Sequence, residues 1–257
     1  MYRLGSKKSI FNVRMLLCVL ICFGVLAAPL CEGGRQSLLY LHLTSENTGG
    51  SDILTMYTSP FAMSSFVIFA GIFPGIPYAY SYLEERNSGY LKFILPRSGR
   101  KKYMLQKIVF SGLSGGISMA VPGILIFILL DVMSVDTTPD AYPYVFDTLM
   151  WAPIMFKWGG RLVLLLKAIL LFLFGVMWSE LSLMIALLVK NKYVAFVLPF
   201  FIFEALWLLF DPSVFNPIYL VRADCEITTP LFMPYLADFI YITLLVSVNA
   251  ALFRRRK

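Results

Sequence analysis

Leu162 to Val189 reads LVLLLKAILLFLFGVMWSELSLMIALLV, with Lys167 and Glu180 its only ionisable residues. A run of this length exceeds the ~20 apolar residues that an α-helix needs to cross a bilayer. It has neither the strict alternation of a barrel strand nor turn residues at short spacing. Working outward, five further apolar blocks lie near Met15–Leu30, Pro60–Leu83, Ile108–Leu130, Tyr193–Phe210 and Tyr235–Phe253. Composition agrees: the 257 residues are 59% hydrophobic and 14% charged, against about 45–50% and about 25% in soluble domains. The sequence therefore predicts one all-α integral membrane domain over residues 1–257 with six transmembrane helices, spanning about 15–30, 60–83, 108–130, 162–189, 193–210 and 235–253. Helices close their own backbone hydrogen bonds in lipid.

The net charge of +7 does not point to nucleic acid, because the basic residues sit between apolar blocks rather than on one soluble face. They cluster at Arg3–Arg14, Arg86–Lys107, Lys190–Lys192 and Arg254–Lys257, which together hold 17 of the 22 Lys and Arg. Arg35, Lys157, Arg161 and Arg222 fall on the other side, with most of the acids. The positive-inside rule then predicts cytoplasmic termini and an even number of spans in the plasma membrane. The N-terminus also resembles a signal peptide, with Val25-Leu26-Ala27 as a cleavage-like site. An uncleaved first span is the expected state.

Cys18 and Cys22 lie one turn apart in the first span and read as small packing residues. Cys31 and Cys225 both fall on the outer side, where a disulfide is chemically possible. No Cys/His spacing suggests a metal site, and the single histidine, His42, falls in an outer loop. No G-x-x-x-x-G-K-S/T loop occurs, so the chain has no P-loop for ATP. Glu84-Glu85-Arg86 is similar to the paired glutamates of membrane proteases, but those also need intramembrane histidines.

The loop between the second and third spans, 84–107, reads EERNSGYLKFILPRSGRKKYMLQK. It predicts two short helices: an apolar patch from Tyr90 to Leu95 ended by Pro96, then a second piece capped by Ser98. So apolar and amphipathic a loop belongs at the membrane surface or against a partner. Here the sequence resembles the membrane subunits of type-2 ABC exporters. Their inner loop reads acidic residue, Arg, two residues, Gly, an apolar run, Pro, a residue, Ser, Arg and a later Lys. Glu85, Arg86, Gly89, Leu95, Pro96, Ser98, Arg100 and Lys107 fill those places, with Gly99 inserted before the arginine. Where the family often has a small residue, Leu and Glu after the glycine, this chain has Tyr90-Leu91-Lys92, reversing the charge at Lys92. Phe215 to Arg222 is similar to the family's outer re-entrant turn, through Asn216, Pro217, Tyr219 and Arg222.

The resemblance implies a permease subunit whose inner loop couples to a separate ATP-binding subunit, which would hold ATP and Mg. It also implies a second permease subunit, the same or related, and a hydrophobic, peptide or drug-like cargo moved through surrounding membrane lipid. This chain itself would be no enzyme and bind no cofactor. The rival expectation is a non-transporting membrane sensor or immunity protein that holds a ligand without ATP.

Two acids sit deep in spans. Glu180 is ten residues from Lys190, about 15 Å by helix rise, and Glu204 is twelve from Lys192, about 18 Å. A mid-depth carboxylate costs several kcal/mol unless paired, protonated or facing water. Both are expected to face a shared interior, either on the substrate pathway or as interhelical hydrogen bonds. Lys167, nearer the outer surface, is expected to snorkel. Pro74, Pro77, Pro122 and Pro199 lie within spans and are expected to kink helices.

Overall fold

The computed structural model describes residues 12–32, 66–133, 154, 157–158, 160–210, 215–222 and 230–255. Among these the regular structure is all helical. The elements are α1 (Val13–Glu32), α2 (Phe66–Phe69), a 3₁₀ turn (Phe73–Gly75), α3 (Ser81–Asn87), α4 (Leu91–Ser98), α5 (Arg100–Met133), α6 (Gly160–Leu188), α7 (Lys192–Leu209), α8 (Pro217–Arg222) and α9 (Met233–Arg255). Four helices are long and apolar enough to cross a membrane, over Arg100–Leu129, Leu162–Leu188, Lys192–Leu209 and Met233–Arg255; α1 is a shorter apolar helix over Val13–Ala28.

Small residues seat α5 against α6. Gly112, Gly115 and Gly116 on α5 meet Val176, Gly175 with Ser179, and Phe172 on α6. Rising numbers on one helix meet falling numbers on the other, so the pair is antiparallel. A Cβ on Gly175 would lie 2.9 Å from Gly116 Cα and closer still to the Gly115 carbonyl oxygen. Without a hydrophobic drive between helices in lipid, such close approach is what makes packing favourable. Ser179 Oγ donates to the Ser111 carbonyl at 2.7 Å, and the two hydroxyls are 2.9 Å apart.

Against the other side of α6, Tyr235 donates to the Leu166 carbonyl at 2.9 Å and Asn249 to Glu180 Oε2 at 2.8 Å. Both contacts join residues 69 apart, so α9 runs parallel to α6, with α7 the return crossing between them. Asn191 starts α7 as its cap, its side chain accepting from the Tyr193 N–H at 2.9 Å.

The second expected span, 60–83, is not one helix over its described part. α2 has four residues, and turns and the 3₁₀ segment carry the chain from there to α3. Pro74 and Pro77 have no N–H to continue a helix, and Gly71 and Gly75 are jammed against neighbours. A Cβ on Gly71 would meet Phe203 Cβ at 2.8 Å, and one on Gly75 would meet Ser182 Oγ at 2.6 Å. The segment is largely buried against α6 and α7. Irregular backbone at such depth is tolerated where protein covers it. The Phe73 carbonyl accepts from the Ile76 N–H at 3.3 Å and from Cys18 Sγ at 3.4 Å. Cys18 and Cys22 are free and buried, as packing residues should be. The pairing of Cys31 with Cys225 and the position of His42 lie outside the described residues.

The inner loop differs from expectation at both joints. Pro96 lies inside α4, which ends instead at Gly99, whose φ of 74° is the left-handed conformation glycine adopts without strain. Ser98 does not cap α5: its hydroxyl bonds back to the Ile94 carbonyl at 2.9 Å. Residues 100–107 are the first turns of α5 rather than loop.

Candidate functional site

The inner-loop residues form one connected structure at the end of the bundle. α3 is pinned to the α6–α7 turn, with Arg86 Nη1 donating to the Val189 carbonyl at 3.5 Å and Asn87 Nδ2 to the Lys190 carbonyl at 3.2 Å. One residue back from Arg86, Glu85 reaches the start of α5. Its Oε1 pairs with Lys107 Nζ at 2.7 Å and its Oε2 accepts from Tyr103 Oη at 2.5 Å. Lys107 also donates to Ser81 Oγ at 2.7 Å and sits 4.6 Å from the Tyr78 ring centroid. Its side chain is 3% exposed, so this ammonium survives burial only because an anion, a hydroxyl and an aromatic face surround it. The neighbouring Glu84 forms an exposed pair with Arg14 of α1 at 2.9 Å.

Gly89, at φ 74°, turns the chain from α3 into α4. The inward side of α4 sets Leu91, Ile94 and Leu95 against a cluster containing Tyr82, Tyr103 and Phe253. Its outward side exposes Lys92, Phe93, Pro96 and Arg97, next to exposed Tyr90. The expected coupling residues thus take different places. Glu85, Arg86 and Lys107 root the element in the bundle; Gly89 shapes its entry and Gly99 its exit. Leu95 and Ser98 are half-buried on α4, and Arg100 is exposed at the start of α5.

Glu180 and Glu204 are not brought together. Glu180 is buried between α6, α5 and α9, where Asn249 Nδ2 donates to its Oε2 and to its backbone carbonyl at 3.0 Å, and its Oε1 faces Gly112 without a hydrogen bond. Glu204 follows Phe203, which packs on Trp178 and Phe174 of α6. Glu180 lies about 200° around α6 from Trp178 by helical periodicity. Trp178, on which Phe203 packs, and Glu180 thus point to different sides of α6. Glu204 is partly buried, with Oε1 unpartnered. Lys167 is buried at 3% exposure rather than extended to the surface.

The sequence reading passed over Asp238 and Asn249. Both are fully buried on α9, and neither Asp238 carboxyl oxygen has a hydrogen-bond partner. The signal was available: a carboxylate and an amide inside an apolar span. After α7, Asn216 is buried, its Nδ2 donating to the Trp207 carbonyl at 3.1 Å while its Oδ1 accepts from the Ile218 N–H at 3.0 Å. Pro217 opens α8, whose Ile218, Leu220 and Val221 enter the core. Tyr219 and Arg222 lie on α8, but their side chains fall outside the described residues.

Four helices of spanning length, with polar groups buried between them, mark a multi-pass, all-helical membrane protein. No protein-family model, curated protein or solved structure matches the chain.

Proposed function

We propose that the chain is the membrane-spanning permease subunit of an ATP-driven exporter of the type-2 ABC kind. It carries a hydrophobic, peptide or drug-like substrate outward, paired with a second permease subunit, and both termini are cytoplasmic. Separate subunits hold ATP and Mg and supply the energy. The observation that carries this reading is the build of α3 and α4. The exposed face of aromatic and basic residues on α4 follows α3 across the Gly89 turn, and Glu85 of α3, through Lys107 and Tyr103, ties that helix to the first turns of the longest span. A push on α4 from a docked subunit would therefore reach α5, and through the glycine seam α6, with little lost to slack. Such a lever is what ATP-driven alternating access requires.

Phe93→Asp tests the docking face, because Phe93 is 65% exposed and its replacement should leave the bundle intact. The full chain solubilised from its native membrane should carry ATPase activity in a co-purifying nucleotide-binding subunit. The variant should lose both while keeping its thermal stability. The paired variant Glu85→Gln with Lys107→Met, which removes the tie without leaving a buried charge unpaired, should keep the complex but uncouple hydrolysis from transport. A chain that purifies without ATPase while still holding a ligand points to the sensor or immunity class and overturns the proposal.

A further inference from the structure

A cleft of about 440 Å³ opens beneath α4, between α3, the start of α5 and the last turns of α9. That size lies within the ~300–1,000 Å³ of ordinary ligand pockets. Tyr82, Leu91, Leu95, Tyr103 and Phe253 form its walls. The walls are preformed: the Phe253 ring meets Tyr82 edge-on at 5.3 Å and Tyr103 at 6.3 Å between centroids. Arg86 and Arg100 complete the lining, and no acid belongs to it.

The charge balance around the cleft is one-sided. The two nearby acids of α3 are already committed, Glu84 to Arg14 and Glu85 to Lys107 and Tyr103. Arg86 spends one N–H on a long 3.5 Å bond to the Val189 carbonyl, leaving most of its five donors. Arg100 is exposed at the start of α5. Exposed Lys101, Arg254 and Arg255 stand at the same end of the bundle. An anion is what this arrangement lacks.

The cleft's level selects the kind of anion. Arg100 opens one spanning helix and Phe253 lies in the last turn of another, so the arginines sit at the membrane face and the apolar walls lead from them. A water-soluble anion would leave those walls uncovered. We infer that the cleft is a resident site for one anionic phospholipid, its phosphate held by Arg86 and Arg100 and the upper part of its acyl chain against Tyr82, Leu95 and Phe253. Basic pockets between membrane helices recognise anionic headgroups by this chemistry. The lipid would fill the space behind α4 and brace it from within. The inference rests on membrane embedding alone and stands apart from the transport reading, because its test involves no ATP and no partner.

The test uses the delipidated full-length chain in neutral detergent, offered phosphatidylglycerol or phosphatidylcholine and read by native mass spectrometry. One phosphatidylglycerol per chain should be retained, with phosphatidylcholine at least tenfold weaker. Arg86→Gln and Arg100→Gln should each weaken retention about fivefold, and the double variant about twenty-fivefold. Lys192→Gln, an exposed lysine at the same end but outside the cleft, should change nothing. If Arg86→Gln folds poorly, Arg100→Gln carries the same reading from an exposed position. Equal retention of both lipids would make the cleft a plain apolar groove. Undiminished phosphatidylglycerol in the double variant, or displacement by glycerol phosphate at equal concentration, would overturn the site.

Discussion

Replacing Gly175 by alanine places one methyl group where two helix backbones touch. That Cβ would lie 2.9 Å from both the Gly115 carbonyl carbon and Gly116 Cα, whereas carbon atoms rest at about 3.5–4.0 Å. No side chain is there to rotate away, so α5 and α6 must separate by at least about 0.6 Å. A gap of that size forfeits roughly a quarter of the dispersion well along the seam. Overpacking of this kind costs about 1–3 kcal/mol, and the adjoining Ser111–Ser179 hydrogen bonds, about 0.6 kcal/mol each in membranes, stretch with it. The total expected loss is about 2–4 kcal/mol. Gly112→Ala supplies the contrast on the same helix pair: its nearest atom is Val176 Cγ1 at 3.2 Å, the movable end of a side chain, and a loss below about 1 kcal/mol is expected. Gly24 on α1 has nothing within 4 Å, so Gly24→Ala should gain a few tenths of a kcal/mol from helix propensity. Reversible unfolding in mixed micelles, followed by tryptophan fluorescence, gives the three free energies on one scale. If Gly175→Ala costs no more than Gly112→Ala, α5 and α6 are not in backbone contact and the core described above is wrong.

Asn249→Ala should destabilise by about 1–3 kcal/mol, because it strips a donor from the buried Glu180 carboxyl. Glu180→Gln should be tolerated and Glu180→Leu should not, and the same unfolding assay reads all three. Breaking the Glu85–Lys107 pair from one side, as Lys107→Met or Glu85→Gln, should each cost about 3 kcal/mol or more, while the double variant recovers part of the sum; strict additivity in that cycle would mean that the pair is not coupled. Reporter fusions after Arg255 and within the Glu46–Asp52 segment should report opposite sides of the membrane, the first cytoplasmic; an external C-terminus would overturn the orientation.

The long helices were legible because apolar runs of spanning length have one stable answer in lipid. α6, for instance, falls within two residues of its expected bounds at Leu162 and Val189. The segment from Phe66 to Leu83 was misread because burial in protein and exposure to lipid demand the same apolar composition. Its Gly71, Pro74, Gly75 and Pro77 were visible but read as kinks, and only Phe203 and Ser182 arriving from other helices explain why the chain breaks there. At the inner loop, Pro96 was the wrong terminator. A proline late in a two-turn helix removes a single hydrogen bond, whereas Gly99 in the left-handed region redirects the chain. The candidate residues were mostly recognisable by type, but their pairings were not. Nothing in the spacing of Glu85, Tyr103 and Lys107 says that they meet, because that depends on the angle between α3 and α5.

Burial divides the bundle into a centre and a periphery, and the division bears on the proposed partner. Over their most apolar windows α5 and α6 are 56% and 61% buried, whereas α7 and α9 are 17% and 28% buried. α1 likewise exposes Val13, Leu16, Leu17, Leu20 and Ile21. The proposed second permease subunit would therefore have its room on α1, α7 or α9, with α5 and α6 as an internal axis. The acids follow the same division. Glu180 belongs to the axis and is tied to Asn249, so its first duty is to hold α6 to α9. Glu204 lies on the sparsely covered α7, where a half-buried carboxyl with an unpartnered oxygen gains most from a neighbour that brings a donor or admits water. Under the proposed transport reading, Glu204 is thus the better placed of the two acids to meet a substrate. Glu180 is the one whose loss should be felt first in stability.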